Sequence, residues 1–174
     1  MKTLTQALTV FALTLTVVAG AQKPPQSPPA QADVTLAGKA ITVKYSSPQM
    51  RGRKIMGELV PFGQVWRTGA NSATTIVTPV DLTIGTLHVP AGTYTLFTLP
   101  VSAHEWKFIV STKTGEWGIP YPEGSDLGRT DMKEAALAAP QEGMSITFEK
   151  TTANSTELHV KWETTDAWVK IEAK

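Results

Sequence analysis

The amino-acid sequence predicts an all-β fold, a single antiparallel β-sandwich of about eight to ten short strands. Three observations predict it: apolar and polar residues alternate with period two, turn-forming residues separate the alternating runs, and the spacing of the runs suits antiparallel pairing better than βα units. Ile41, Val43 and Tyr45 alternate with Thr42 and Lys44. Trp106, Phe108 and Val110 alternate with Lys107 and Ile109. Leu158, Val160 and Trp162 alternate with His159, Lys161 and Glu163. Successive Cβ atoms of a strand point to opposite faces, so each run offers one face to a core and one to water. The gaps hold Ala37-Gly38-Lys39, Pro79, Gly85, Pro90-Ala91-Gly92 and Ala153-Asn154-Ser155, residues that suit turns.

Asp131 to Ala139 (DMKEAALAA) departs from this pattern. Acids at its first and fourth positions, an alanine-rich body and Pro140 behind it follow helix rules. Its apolar face, Met132, Ala135, Ala136 and Ala139, is thin, so helix and edge strand both stand open from the residues alone.

The N-terminus predicts export. Lys2 gives a positive start, Ala7 to Val18 form an apolar run, and Ala19-Gly20-Ala21 is a small-x-small cleavage pattern. The run is short of the roughly 20 apolar residues that span a bilayer. We therefore expect a signal peptide over residues 1–21, a proline-rich spacer over 22–32 (QKPPQSPPAQA) and one β-sandwich domain over 33–174. The expected location is periplasmic or extracellular, without membrane insertion after cleavage. With no cysteine in its 174 residues, the chain has neither a lipid-attachment site nor a disulfide framework. It carries 16 basic against 15 acidic residues, and loss of Lys2 balances them. No global charge favours nucleic acid.

No cofactor or metal is expected. His88 and His159 lie between apolar neighbours on strands, so both should face outward at the surface, while His104 lies in a polar turn. No two histidines have metal-ligand spacing. GxSxG, SxxK and Cys–His patterns are absent, which leaves no starting point for a nucleophile. Glu116, Glu123, Asp126, Asp131 and Glu134 cluster loosely. Paired acids of a hydrolase need a set separation across a cleft, which spacing along the chain does not supply.

The cations are more informative. Arg51, Arg53 and Lys54 fall within four positions, with no acid until Glu58. Gly52 frees the backbone between the arginines, so both forks can face one way and hold a carboxylate, phosphate or sulfate bidentately. Internal pairing with Asp or Glu is the alternative. In QVWRTGANSAT (Gln64 to Thr74), Trp66 is a large anchor, and Arg67 should point away from it in an extended segment. Asn71 either closes a turn or presents an amide. Trp66 and Asn71 can therefore shape a corner, or Arg67 and Asn71 can line a polar pocket with Arg51 and Arg53. In GEWGIPYPEGSDLGR (Gly115 to Arg129), Trp117 and Tyr121 sit on a long loop that either closes over the core or stacks on a sugar ring.

Tyr45 to Thr74 (YSSPQMRGRKIMGELVPFGQVWRTGANSAT) closely resembles the hallmark segment of a bacterial family known as domain of unknown function 2911. VPAGTYTLFTLP (Val89 to Pro100), the strand with Trp106, EWGIPY (Glu116 to Tyr121) and the element from Asp126 to Arg129 extend the resemblance over the mature domain. It implies a secreted or periplasmic β-rich domain, and the family has no established activity, substrate or cofactor to carry over. It also favours strand through Asp131 to Glu134, and we follow it there. The leading expectation is a non-catalytic envelope module that binds a small polar or anionic molecule or a glycan. Arg51, Arg53, Arg67, Asn71 and Arg129 would supply polar contacts, and Trp117 and Tyr121 stacking. A carboxylate-dependent hydrolase using Glu116 or Asp126, and a structural or partner-docking protein, are the alternatives. Oligomeric state is left open.

Overall fold

A computed structural model describes residues 26–174. The expected signal peptide and the start of the spacer lie outside the described residues. Nine strands follow in order: β1 (Pro29–Leu36), β2 (Lys39–Ser46), β3 (Thr74–Thr78), β4 (Leu82–Ile84), β5 (Leu87–Val89), β6 (Gly92–Pro100), β7 (Trp106–Ser111), β8 (Asp126–Glu149) and β9 (Ser155–Ala173). All pairings are antiparallel, and the strands form one continuous sheet in the order β1-β2-β3-β6-β7-β8-β9-β4-β5. The fold is all-β, as the alternation predicts. Its strands are not all short, since β8 has 24 residues and β9 has 19. β1 also begins at Pro29, within the stretch expected as spacer, and pairs with β2 from Pro29↔Ser46 onward. Its place at the sheet edge explains why a proline is tolerated there.

β8 joins the two halves of the sheet. Through Met132 it pairs with β7, and from Lys133 it pairs with β9. One apolar cluster draws on strands from both halves and includes Leu36, Ile41, Leu96, Phe108, Leu158 and Ile171. Each such aliphatic or aromatic side chain contributes about 1.5–3 kcal/mol by leaving water. Asp131 to Ala139 is strand, not helix. Its helix rules are local, whereas Met132 is buried opposite Trp106 and the next residues gain β9 as partner. A thin alanine face offers a helix too little burial to compete with those pairings. The ladder then breaks between Ala136 and Gln141, within the alanine-rich stretch.

β9 changes face at Glu163, which has φ 55°. Leu158, Val160 and Trp162 are buried before it, and Thr165, Ala167, Val169 and Ile171 after it. One residue in the left-handed region thus shifts the inward set from even to odd positions, the effect of a bulge. The Glu163 carboxylate accepts hydrogen bonds from the backbone N–H groups of Ile55 and Met56, both 3.1 Å. The bend is sharp. A straight strand would hold residues 159 and 166 about 23 Å apart, yet His159 Nδ1 lies 2.8 Å from Asp166.

That bend corrects the expectation of a surface histidine. His159 does face away from the main core, but it is only 4% exposed. Trp168 stacks on it at 5.3 Å with a 10° interplanar angle, and Glu157 lies 3.4 Å from Nε2. His88 is exposed on β5, as expected.

A second, smaller cluster fills the outer face of β6 and β7. Phe97 and Ile109 are fully buried there with Ala73. Tyr121, on the loop between β7 and β8, covers them and meets Phe97 edge-to-face at 4.9 Å and 85°, while Asp126 to Arg129, expected in the same loop, already belongs to β8. Ile109 breaks the simple alternation because this loop shields the face it would otherwise show to water.

Candidate functional site

The turn from Met50 to Arg53 sets the first two candidate cations. Arg51 and Gly52 both have positive φ, 51° and 71°, and the Arg53 N–H closes the turn on the Met50 carbonyl at 3.0 Å. Two successive left-handed residues reverse the chain tightly, and glycine makes the second one inexpensive. Arg51 Nη2 donates to the Gln26 carbonyl at 2.7 Å. Arg53 donates from Nε to the Met50 carbonyl at 2.9 Å and from Nη2 to the Gln49 carbonyl at 2.6 Å. Backbone oxygens therefore orient both forks without neutralising them.

Arg67 arrives from another part of the chain. Trp66 exchanges backbone hydrogen bonds with Thr98, as an isolated bridge. The chain then leaves the ladder, with Thr68 at φ 53°. Arg67 points away from Trp66, as expected: Trp66 packs on the main core, while the Arg67 Cβ lies 3.0 Å from where a Cβ on Gly118 would stand, beside Ala73 and Phe97 of the small cluster, and both residues still line the same hollow. Arg67 Nη1 donates to the Trp117 carbonyl at 3.2 Å, and its guanidinium lies 5.1 Å from the centre of the Trp117 ring. Partial burial pulls its pKa below the usual arginine value, because desolvation disfavours the charged form.

Arg51, Arg53 and Arg67 line one cavity of about 330 Å³. Trp66 and Trp162 form part of its wall, stacked at 5.8 Å with an interplanar angle of 21°. Their indole N–H groups are already committed, to the carbonyls of Gly69 and Glu142. Ile119 adds an apolar contact surface, and no Asp or Glu lines the hollow. Among the described residues, none of the three guanidiniums has a carboxylate partner within 4.0 Å. The arrangement can offer unspent N–H donors and positive charge to an anion, while the exposed Ile119 and Leu59 supply apolar contact for its carbon skeleton.

The other candidates have different places. Asn71, at φ 57°, donates to the Ser27 carbonyl at 3.2 Å and so holds the segment whose residues Gln26 and Ser27 also line the cavity. Trp117 is 56% exposed and serves Arg67 rather than lining the hollow. Tyr121 and Arg129 stand apart from it. Arg129 Nε pairs with Asp126 at 2.7 Å, and the Tyr121 hydroxyl donates to the same carboxylate. Burial, then the bond to Asp126, pushes the Tyr121 hydroxyl up to about 12. Asp126 holds the Arg129 pKa above the arginine norm. Asp126 is thus committed, and Glu116 lies 3.6 Å from Lys113. Neither acid lines the arginine cavity. Tyr121→Phe is expected to cost about 1 kcal/mol in chemical denaturation, the value of the hydrogen bond lost to Asp126; an unchanged stability would show that this bond contributes nothing.

Sequence reasoning missed Trp162, Ile119, Gln26 and Ser27 as cavity residues. The inward alternation of β9 does mark Trp162 as a core residue. Nothing in the local pattern shows that part of its ring borders a hollow.

The family described as protein of unknown function (DUF2911) matches residues 27–171. No curated protein and no solved structure matches the chain.

Proposed function

The chain belongs to that family of unknown function, and on that premise we propose that it is a non-catalytic binding module for a small organic anion or a sugar bearing acidic groups. With the signal segment read from its N-terminus, it would work in the periplasm or outside the cell. One observation carries the reading. Three guanidiniums, two from one turn and the third from another part of the chain, line a single cavity whose lining holds no acid. Retaining three cations there without internal anions is unfavourable unless solvent or a ligand compensates them, and an anion with an apolar face matches both walls.

Thermal unfolding should be followed with phosphate, sulfate, citrate and glucuronate as probes, and calorimetry run on those that stabilise. A ligand at 100 times its Kd adds about 2.7 kcal/mol to stability. Arg51→Ala, Arg53→Ala and Arg67→Ala are each expected to weaken binding about tenfold, equivalent to roughly 1.4 kcal/mol. Raising the salt should weaken binding in the parent protein more than in the variants. Unchanged unfolding temperatures with all four probes at millimolar concentration, or full affinity in a triple alanine variant, would overturn the proposal.

A further inference from the structure

The large apolar side chains left exposed among the described residues are not spread evenly. The two most exposed, Ile119 at 67% and Trp117, come from one short stretch beside the arginine cavity. Ile119 lines that cavity together with Leu59, itself 46% exposed, and the Trp117 ring lies against the Arg67 guanidinium. The loop that carries Trp117 and Ile119 does reach the protein interior. Its Tyr121 packs on Phe97, and Gly118 approaches Ala73 and Arg67 so closely that an added Cβ would lie within 3.0 Å of each. The same loop thus tucks one aromatic inward and presents an indole and an isoleucine to the outside. Grouped apolar exposure beside polar residues marks an interaction surface.

The charge at this surface is local. With 16 basic and 15 acidic residues the chain has no strong overall field, so attraction to an anion must come from Arg51, Arg53 and Arg67. Glu142 opposes them, as its carboxylate accepts the Arg51 backbone N–H at 2.7 Å, but it does not line the hollow. The hollow, about 330 Å³, is at the small end of ligand sites. It has room for a phosphate and its polar substituent but not for acyl chains, which would stay outside beside Leu59, Trp117 and Ile119. In a bilayer the two parts of an amphiphile are held in that relation, with indoles favoured at headgroup depth and arginine forks suited to phosphate. On the premise that the cavity holds an anion, we propose that this face docks on the surface of an anionic phospholipid bilayer without spanning it. The three arginines hold one phosphodiester headgroup, and Leu59, Trp117 and Ile119 enter the interface.

Vesicle flotation tests this on the chain from Gln22 onward, which carries every described strand but not the apolar run Ala7 to Val18 that could itself enter a bilayer. Binding to vesicles of phosphatidylglycerol mixed equally with phosphatidylcholine should exceed binding to pure phosphatidylcholine by about a hundredfold, and each arginine-to-alanine change should remove about fivefold of that preference. Ile119→Ser and Leu59→Ser should each weaken vesicle binding about tenfold. That loss should be larger than any with inorganic phosphate, which has no carbon chain for them to touch. Acyl chains brominated near the headgroup should quench tryptophan emission, and Trp117→Phe should remove the quenching. Equal binding to the two vesicle types, or quenching that persists without Trp117, would overturn the proposal. Calorimetric binding of phosphate without binding of anionic vesicles would overturn it and leave the anion site standing, whereas absence of both would remove both.

Discussion

Gly118→Ala is expected to destabilise the protein by about 3 kcal/mol, combining the cost of a side chain at positive φ with that of overpacking. Gly118 has φ 84°, and a Cβ built there would lie 2.9 Å from Ala73 Cβ, 3.0 Å from Arg67 Cβ and 3.3 Å from Phe97 Cε1. These neighbours are not free to retreat. Ala73 and Phe97 belong to the small cluster under the loop, and Arg67 is tied to the Trp117 carbonyl. The same contact therefore links stability to the proposed function, because relief by moving the loop would displace Arg67. Gly115→Ala supplies the control, with φ 75° but nothing within 4 Å of its added Cβ. It should cost only about 1 kcal/mol, the backbone part alone. Thermal unfolding should therefore drop by about 6–12 °C in the first variant and by about 2–4 °C in the second. Equal drops would show that the loop yields freely and that Gly118 does not position Arg67.

His159→Leu should cost about 3 kcal/mol at pH 7, the scale for breaking a buried, charge-assisted group of contacts. The imidazole reaches Asp166 at 2.8 Å and Glu157 at 3.4 Å while Trp168 covers it. His159→Phe keeps a ring for Trp168 but has no ring nitrogens, so it should recover only part of the loss. Two neighbouring carboxylates set the pH dependence. Glu149 is held below the ordinary value of 4.5 first by a hydrogen bond from Lys161, and Glu157 first by one from Lys150. Groups with lowered folded-state pKa values stabilise above the unfolded value and lose that contribution as pH falls through the folded one. Parent stability in urea should hold above pH 4.5 and decline below it. The His159→Leu deficit should shrink over the same acidic window, because protonated carboxyls need no partner. A deficit independent of pH would assign His159 a packing role alone.

Legibility differed from element to element. Ile41, Val43, Trp106, Phe108, Leu158 and Val160 are buried as alternation requires, since period two reflects backbone geometry that no tertiary contact alters. Thr165 to Ile171 follows a shifted period because Glu163 is in the left-handed region, a conformation its side chain does not advertise. Asp131 to Ala139 misleads in the other direction, as its helix rules concern neighbours in sequence while its pairing is with β7 and β9. At the site, the spacing of Arg51, Gly52 and Arg53 allowed a shared direction, and the two arginines of that turn line one cavity. Arg129 carries the same chemical type but sits three residues from Asp126 and pairs with it. Residue type alone did not distinguish these two situations.

Composition and periodicity by themselves determined an antiparallel all-β chain, the faces of its regular strands, and the clustering of two arginines around a glycine. These are properties of short stretches, fixed by backbone stereochemistry and by what each side chain gains on leaving water. Only the tertiary structure decided that β8 would join two half-sheets, that His159 would be covered, and that Arg67 would meet Arg51 and Arg53 beside Trp162. Those outcomes depend on which distant segments come into contact, and a single bulge or turn redirects every residue beyond it.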